Sequence, residues 1–154
     1  MPASHRATRN FLLDALPDEV WERLTPNLAR VAMQAGQVLH ESGAAMRDAY
    51  FPSSSIVSKL YLMENGSSSG VALVGCEGMV GVSLFLGSGK SQSQAQVQRA
   101  GQGFKLSAHC LKDEFNRGGP MRQVLLRYTQ SLIGQMMQTA ACNRHGTLRQ
   151  GLCR

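Results

Sequence analysis

The constraint that bears hardest on this chain is a run of short apolar stretches, each closed off by turn residues. They are Val31–Met33, Gln37–His40, Ala49–Phe51, Ile56–Met63, Gly70–Val74, Gly78–Leu84, Ala95–Ala100 and Gly103–Leu106. Between them fall Ala35-Gly36, Ser42-Gly43, Pro52-Ser53-Ser54, Asn65-Gly66, Gly75 and Gly101. Segments this short cannot form an amphipathic helix but suit strands, and turn signals recurring at such intervals point to a β-sandwich or barrel. Asn65-Gly66 marks a hairpin, because both residues tolerate positive φ. The expectation is about eight strands and no parallel sheet.

Helices flank this region. Leu16-Pro17-Asp18-Glu19-Val20-Trp21-Glu22-Arg23-Leu24 carries proline and acids where a helix begins, and Thr25-Pro26 predicts a second short helix through Ala29. Trp21, Leu24 and Leu28 would share one apolar face. Ser107 is a good N-cap for a helix over 108–116, Arg117-Gly118-Gly119 ends it, and Pro120 opens a long helix to about Cys142. That helix has two apolar stripes. Met121, Leu125, Tyr128, Leu132 and Met136 step by three or four, like a coiled-coil seam, and are the expected dimer interface. Leu126, Ile133, Met137 and Ala140 lie on another face. A helix that is apolar on two sides needs two partners, here the β-domain and a second copy of the chain. Thr147–Arg154 then reads as the start of a further helix. The organisation expected is 1–119 for lead-in, β-domain and short helix, 120–142 for dimerisation, and 143–154 for the start of a truncated domain.

With 154 residues, 43% hydrophobic and 17% charged, the chain suits one globular domain with a core of its own. No apolar run is long enough to span a membrane and no secretory signal opens the sequence, so the expected location is the cytoplasm. Cys76, Cys110, Cys142 and Cys153 are widely spaced, and neither they nor the four histidines show metal-ligand spacing, so no metal or cofactor is expected. The net charge of +6 is uneven: after Glu114 there are six arginines and no acid. That asymmetry suits nucleic acid or an acidic partner, and equally a solvated helix face. Gly87-Ser88-Gly89-Lys90-Ser91 looks like the tip of a P-loop, but the glycine that motif needs is replaced by Leu84, and the following residues alternate like a strand. His109 and Cys110 are adjacent, so on a helix they diverge and form no base–nucleophile pair. The sequence reads as a non-enzyme.

Taken together, AGQVLHESG, YFPSSSIVSKLYLMENG, GCEGMVGVSLFLG and CNRHGTLRQGLCR, in this order and spacing, resemble the Crp/Fnr family of bacterial transcription regulators over about residues 10 to 154. The resemblance implies a mainly β fold with flanking helices: a cyclic-nucleotide-binding-like double-stranded β-helix (jelly roll) followed by a long dimerisation helix. It also implies DNA binding through a C-terminal helix-turn-helix that this sequence lacks. In members that bind cyclic nucleotides, a Gly-Glu pair meets the ribose and an arginine pairs with the phosphate. Aligned on Gly81, the glutamate position is Val82 and the arginine position falls near Gln94, while the base-contacting hydroxyls fall near Met136 and Met137. The implied ligand positions are therefore Gly81, Val82, Ser83, Lys90, Ser91, Ser93, Gln94, Arg99, Met136 and Met137, a cassette without its charge partners. Lys90 is the nearby cation in that stretch. Binding of cyclic AMP is not expected, because a buried anion without its counter-charge is costly. The cavity would take another small-molecule effector or none. The alternative function is a stand-alone small-molecule-binding or protein-interaction module with the same fold.

Overall fold

The computed structural model describes residues 8–62, 68–86 and 93–148. Two short helices, α1 (Phe11–Asp14) and α2 (Asp18–Leu24), lead through a 3-10 turn (Thr25–Asn27) into β1 (Leu28–Met33). The helix expected to restart at Thr25 is therefore a single turn, and Leu28 begins a strand. There follow β2 (Val38–His40), β3 (Asp48–Pro52), β4 (Ile56–Leu62), β5 (Ser68–Val74), a one-turn helix α3 (Ser83–Leu86), β6 (Ser93–Arg99) and β7 (Gly101–Ser107). Helices α4 (Ala108–Asn116) and α5 (Pro120–Leu148) complete the chain. The hairpin turn at Asn65-Gly66 lies outside the described residues, but β4 and β5 pair antiparallel as that signal requires.

The strands form two antiparallel sheets, β1-β7-β3 and β2-β6-β4-β5, whose facing sides enclose the core of a jelly roll. Seven of the eight apolar stretches are strands. Gly78–Leu84 is not: it makes one isolated bridge, with Tyr50 and Val80 exchanging both backbone hydrogen bonds at 2.9 and 2.8 Å, and then turns. The turn is set by Gly81, whose φ of +124° lies where a side chain would be strained and would crowd Ala49.

The helical lead-in is anchored by one side chain. Asn10 is fully buried, and its amide nitrogen donates to the carbonyls of Pro52 (2.7 Å) and Gly78 (2.9 Å). Its Oδ1 accepts from the backbone N–H groups of Leu12 and Leu13, capping α1. The asparagine thus satisfies donors of a helix start and acceptors at a strand end and in a separate loop at once. Elsewhere, Arg23 on α2 makes a forked pair with the buried carboxylate of Glu114 on α4 (3.2 and 2.6 Å). That pairing raises the Arg23 pKa above its ordinary value.

Ser107 caps α4 by accepting from Cys110 N–H, and Pro120 opens α5, as expected. The two stripes of α5, however, are buried unequally within the chain. Met121, Leu125 and Leu132 are buried in the core of the same chain, and Tyr128 and Met136 pack partly buried against it. A dimer contact through this stripe is not free, because the roll already occupies it. Leu126, Ile133 and Met137 are the exposed ones, at 43%, 51% and 68%. The helix also continues through Asn143–Gly146 to Leu148, since one glycine in a helix costs only about 1 kcal/mol.

Replacing Asn10 with alanine removes the cap and strands two buried carbonyls. The expected loss is about 2–4 kcal/mol of unfolding free energy, measured by denaturant titration. Asn10→Asp, which keeps the cap but loses both donors, is also expected to be destabilised.

Candidate functional site

The interior face of the four-stranded sheet follows from its register. On β6, Ser93, Ala95 and Val97 are buried and alternate with Gln94 and Gln96, which are partly exposed. β4 pairs Val57 with Val97 and Lys59 with Ala95, so Val57 and Lys59 share that inner face. β5 pairs Val57 with Val74 and Lys59 with Ala72, and β2 pairs His40 with Ala95. One cross-sheet row therefore reads His40, Ala95, Lys59, Ala72. All four are at least nine-tenths buried.

Two members of that row are bases. The imidazole of His40 has one weak contact, Nδ1 to the Glu41 carbonyl at 3.5 Å, while Nε2 is buried with no hydrogen-bond partner. Its pKa lies below the ordinary 6.5, first because burial disfavours the imidazolium and also because Lys59 is near enough to repel it. Burial likewise lowers the pKa of the Lys59 ammonium. No hydrogen bond or ion pair to that ammonium is found among the described residues.

The expected cassette is brought together only in part. Gly81 and Val82 sit at the turn, with Val82 buried, and Ser83 begins α3 with its hydroxyl 3.2 Å from Met46 Sδ. Ser93 faces inward. Gln94 does not: its Nε2 reaches outward to Glu41 Oε1 at 2.8 Å, in an exposed position. Arg99 is exposed at the end of β6, opposite Ile56. Met136 lies against the core, whereas Met137 points to solvent. Lys90 and Ser91 lie outside the described residues. The sequence reading missed His40 and Lys59. The available signal was a lysine in step with Val57 in IVSKLYL, an inward period that a structural strand fills with apolar side chains.

On the outside, α5 crosses the loop after β5. The Tyr128 hydroxyl donates to the Met79 carbonyl at 3.3 Å, and burial pushes its pKa up to about 12. The ring fits because Gly78 has no side chain; a Cβ there would collide with it. Beside it, an open cleft of about 490 Å³ runs between α1 and α5, lined by Leu12, Arg127 and Gln135 among others. Its charged members, Glu77 and Arg127, are of opposite sign, so it lacks the one-sided electrostatics of the roll interior.

No protein-family model matches the sequence, and no curated protein does. Solved structures do. The N-terminal domain of a transcriptional regulator from Streptomyces coelicolor is 22% identical, with a TM-score of 0.60 over 86% of this chain and 93% of that one. The sensor domain of the transcriptional regulator DNR from Pseudomonas aeruginosa superposes with a TM-score of 0.64 at 16% identity, covering 82% and 85%. The c-di-GMP-responsive global regulator CLP of Xanthomonas campestris gives 0.69 at 14% identity, over 87% of this chain and 66% of that one. The chain has the cyclic-nucleotide-binding-like fold. In this cyclic-nucleotide-binding-like domain the described residues include no helix long and apolar enough to cross a membrane. They also include no cluster of three or more metal-ligating side chains, and Cys76 and Cys110 are free thiols. The three similar structures are regulators or domains of regulators.

The two buried bases fix a pH dependence. The unfolded chain protonates His40 near 6.5 and Lys59 near 10.5, while the folded chain resists both, so unfolding takes up protons and stability rises with pH. Unfolding free energy is expected to climb as pH rises toward 6.5 through His40 and to go on climbing toward 10.5 through Lys59, and His40→Gln to flatten the acid end of that curve. Denaturant titrations across pH check both.

Proposed function

We infer that this domain is the sensor and dimerisation half of a Crp/Fnr-type transcriptional regulator that does not respond to cyclic AMP. The observation that carries the reading is a closed roll from which a long helix departs, buried on one side and apolar but uncovered on the other. A sensor domain needs a sheltered interior for a signal and a rigid element that carries its state to a second copy and onward. The similarity to regulator domains supports this role, and so does the resemblance in sequence.

The helix stripe available for a second copy is Leu126, Ile133 and Met137. Burying the exposed half of three such side chains on each chain is worth roughly 5–9 kcal/mol, at 1.5–3 kcal/mol for a complete side chain. Association itself costs an estimated 4–15 kcal/mol, so a dimer held by this stripe alone is reversible and concentration-dependent. DNA reading belongs, in this proposal, to the part of such regulators that follows α5.

The absence of a cyclic AMP response rests on the chemistry of the cassette. Val82 offers no carboxylate to a ribose, and Gln94 neither carries charge nor faces inward. A cyclic phosphate placed there would lack the forked guanidinium that such an anion requires when desolvated.

Two measurements test the proposal. Sedimentation of the wild type is expected to show a monomer–dimer equilibrium that Ile133→Glu shifts to a folded monomer. Leu132→Arg, in contrast, is expected to unfold the chain, because Leu132 is in the core. In a thermal-shift assay cyclic AMP is expected to leave the melting temperature unchanged; a rise of several degrees overturns that part of the reading.

A further inference from the structure

A lysine and a histidine occupy the inner face of a sheet whose other inward residues there are Val57, Ala72, Val74, Ser93, Ala95 and Val97. No carboxylate is among them. Lys59 is flanked across the strands by alanines on both sides, Ala95 on β6 and Ala72 on β5, so its cross-strand neighbours are small. His40 and Lys59 are separated by one intervening strand, two strand spacings or roughly 10 Å between backbones. The lysine's four-carbon stem covers part of that gap. Burying two bases with no ion pair to either among the described residues is unfavourable, and a fold keeps such an arrangement at a functional site more readily than in a structural core.

We propose that the roll interior binds a small organic anion with an apolar body, its charged oxygens taken by the Lys59 ammonium and by Nε2–H of His40, and its body lying on Val57, Val74 and Val97. The proposal names an effector class for the sensor reading and rests on that reading for its meaning as a signal. Binding itself is independent of it. The site is carried by the sheet, on β2 and β4, and not by the Gly81–Gln94 cassette.

Proton balance makes the proposal specific. With Nδ1 donating to the Glu41 carbonyl, neutral His40 presents a lone pair at Nε2. To donate to an anion while keeping the Nδ1 contact to Glu41 it must gain a proton, so binding takes up one proton and strengthens as pH falls toward the ordinary histidine range. The charges that bear on His40 are Lys59 from β4, which opposes that proton, and Glu41 at the end of its own strand, which favours it. β6, lying against β2, carries no ionisable side chain between Ser93 and Gln98. The anion offsets the lysine's repulsion, and so the two bases hold it together.

The test is isothermal calorimetry on the intact chain with benzoate and phenyl phosphate, with benzyl alcohol as the neutral control. Saturable binding of at least one of the two anions and none of the alcohol is expected. The binding heat should vary with buffer ionisation enthalpy, reporting about one proton taken up. Lys59→Met and His40→Phe should each weaken binding about tenfold or more, a loss of about 1.4 kcal/mol per decade. Lys59→Met should also melt higher than the wild type, since it removes a buried unpaired charge, and Lys59→Gln provides a second folded variant. Absence of saturable heat with both anions overturns the proposal, as does equal affinity in wild type and the Lys59 variants, which would leave Lys59 a stem packed for structure. Either failure with the Ile133-sensitive dimer intact removes the ligand class and leaves the sensor reading. Loss of that dimer with anion binding intact does the reverse.

Discussion

The pairing of β4 with β6 decides what the inside of this protein is made of. Side chains on a strand alternate, so a slip of one residue would turn Val57 and Lys59 outward and bring in Ser58 and Leu60. The observed register instead sets Lys59 beside Ala95 and, through β5, beside Ala72. It is held by the glutamines of β6, which are stable only on the wetter side, and by the valines at 57, 74 and 97, which are not. A charged group in the roll is thus a consequence of how its apolar neighbours pack.

The outer helices are arranged around the same body. α5 lies on the roll through Met121, Leu125 and Leu132, and Glu114 ties α2 to α4 through Arg23. Arg117 also reaches Glu114, at 3.5 Å, and Arg122 lies 4.7 Å over the ring of Phe115. Two of the six arginines that follow Glu114 therefore have structural partners. The basic character of this half of the chain is in that measure a matter of packing between helices.

Much of this architecture was readable from residue order because the relevant signals are local. Turn residues bounded the strands, Ser107 and Pro120 opened their helices, and Asn65-Gly66 joined two strands that do pair. Readings that depended on which side of an element meets the core fared worse. In β4, Ile56 and Leu60 lie out of step with Val57, so composition alone does not choose the inward face; the partner strand, with its Ser-Gln-Ala-Gln-Val-Gln alternation, does. In α5 both stripes are equally apolar, and the roll chose between them. Gly78–Leu84 has the composition of a strand, but Gly81 takes a backbone conformation that ends pairing after a single bridge. Gln94 illustrates the same limit: a position found by counting along the chain lies on the opposite side of the strand from Ser93, its buried neighbour.

The contact between Tyr128 and the loop at Gly78 has a mechanical meaning. Ring and backbone touch with no side chain between them, and Asn10 holds the same loop from the other side. Loop and helix cannot shift independently at that point, which makes it a fulcrum. From Tyr128 to Leu148 the helix extends roughly 30 Å, at 1.5 Å per residue. A tilt of about 10° at the fulcrum moves the far end by about 5 Å over that length. Any tilt of α5 would therefore have to carry with it the loop that leads into Gly81 and Val82, and the roll face on which Leu132 and Met136 seat the helix beyond Tyr128.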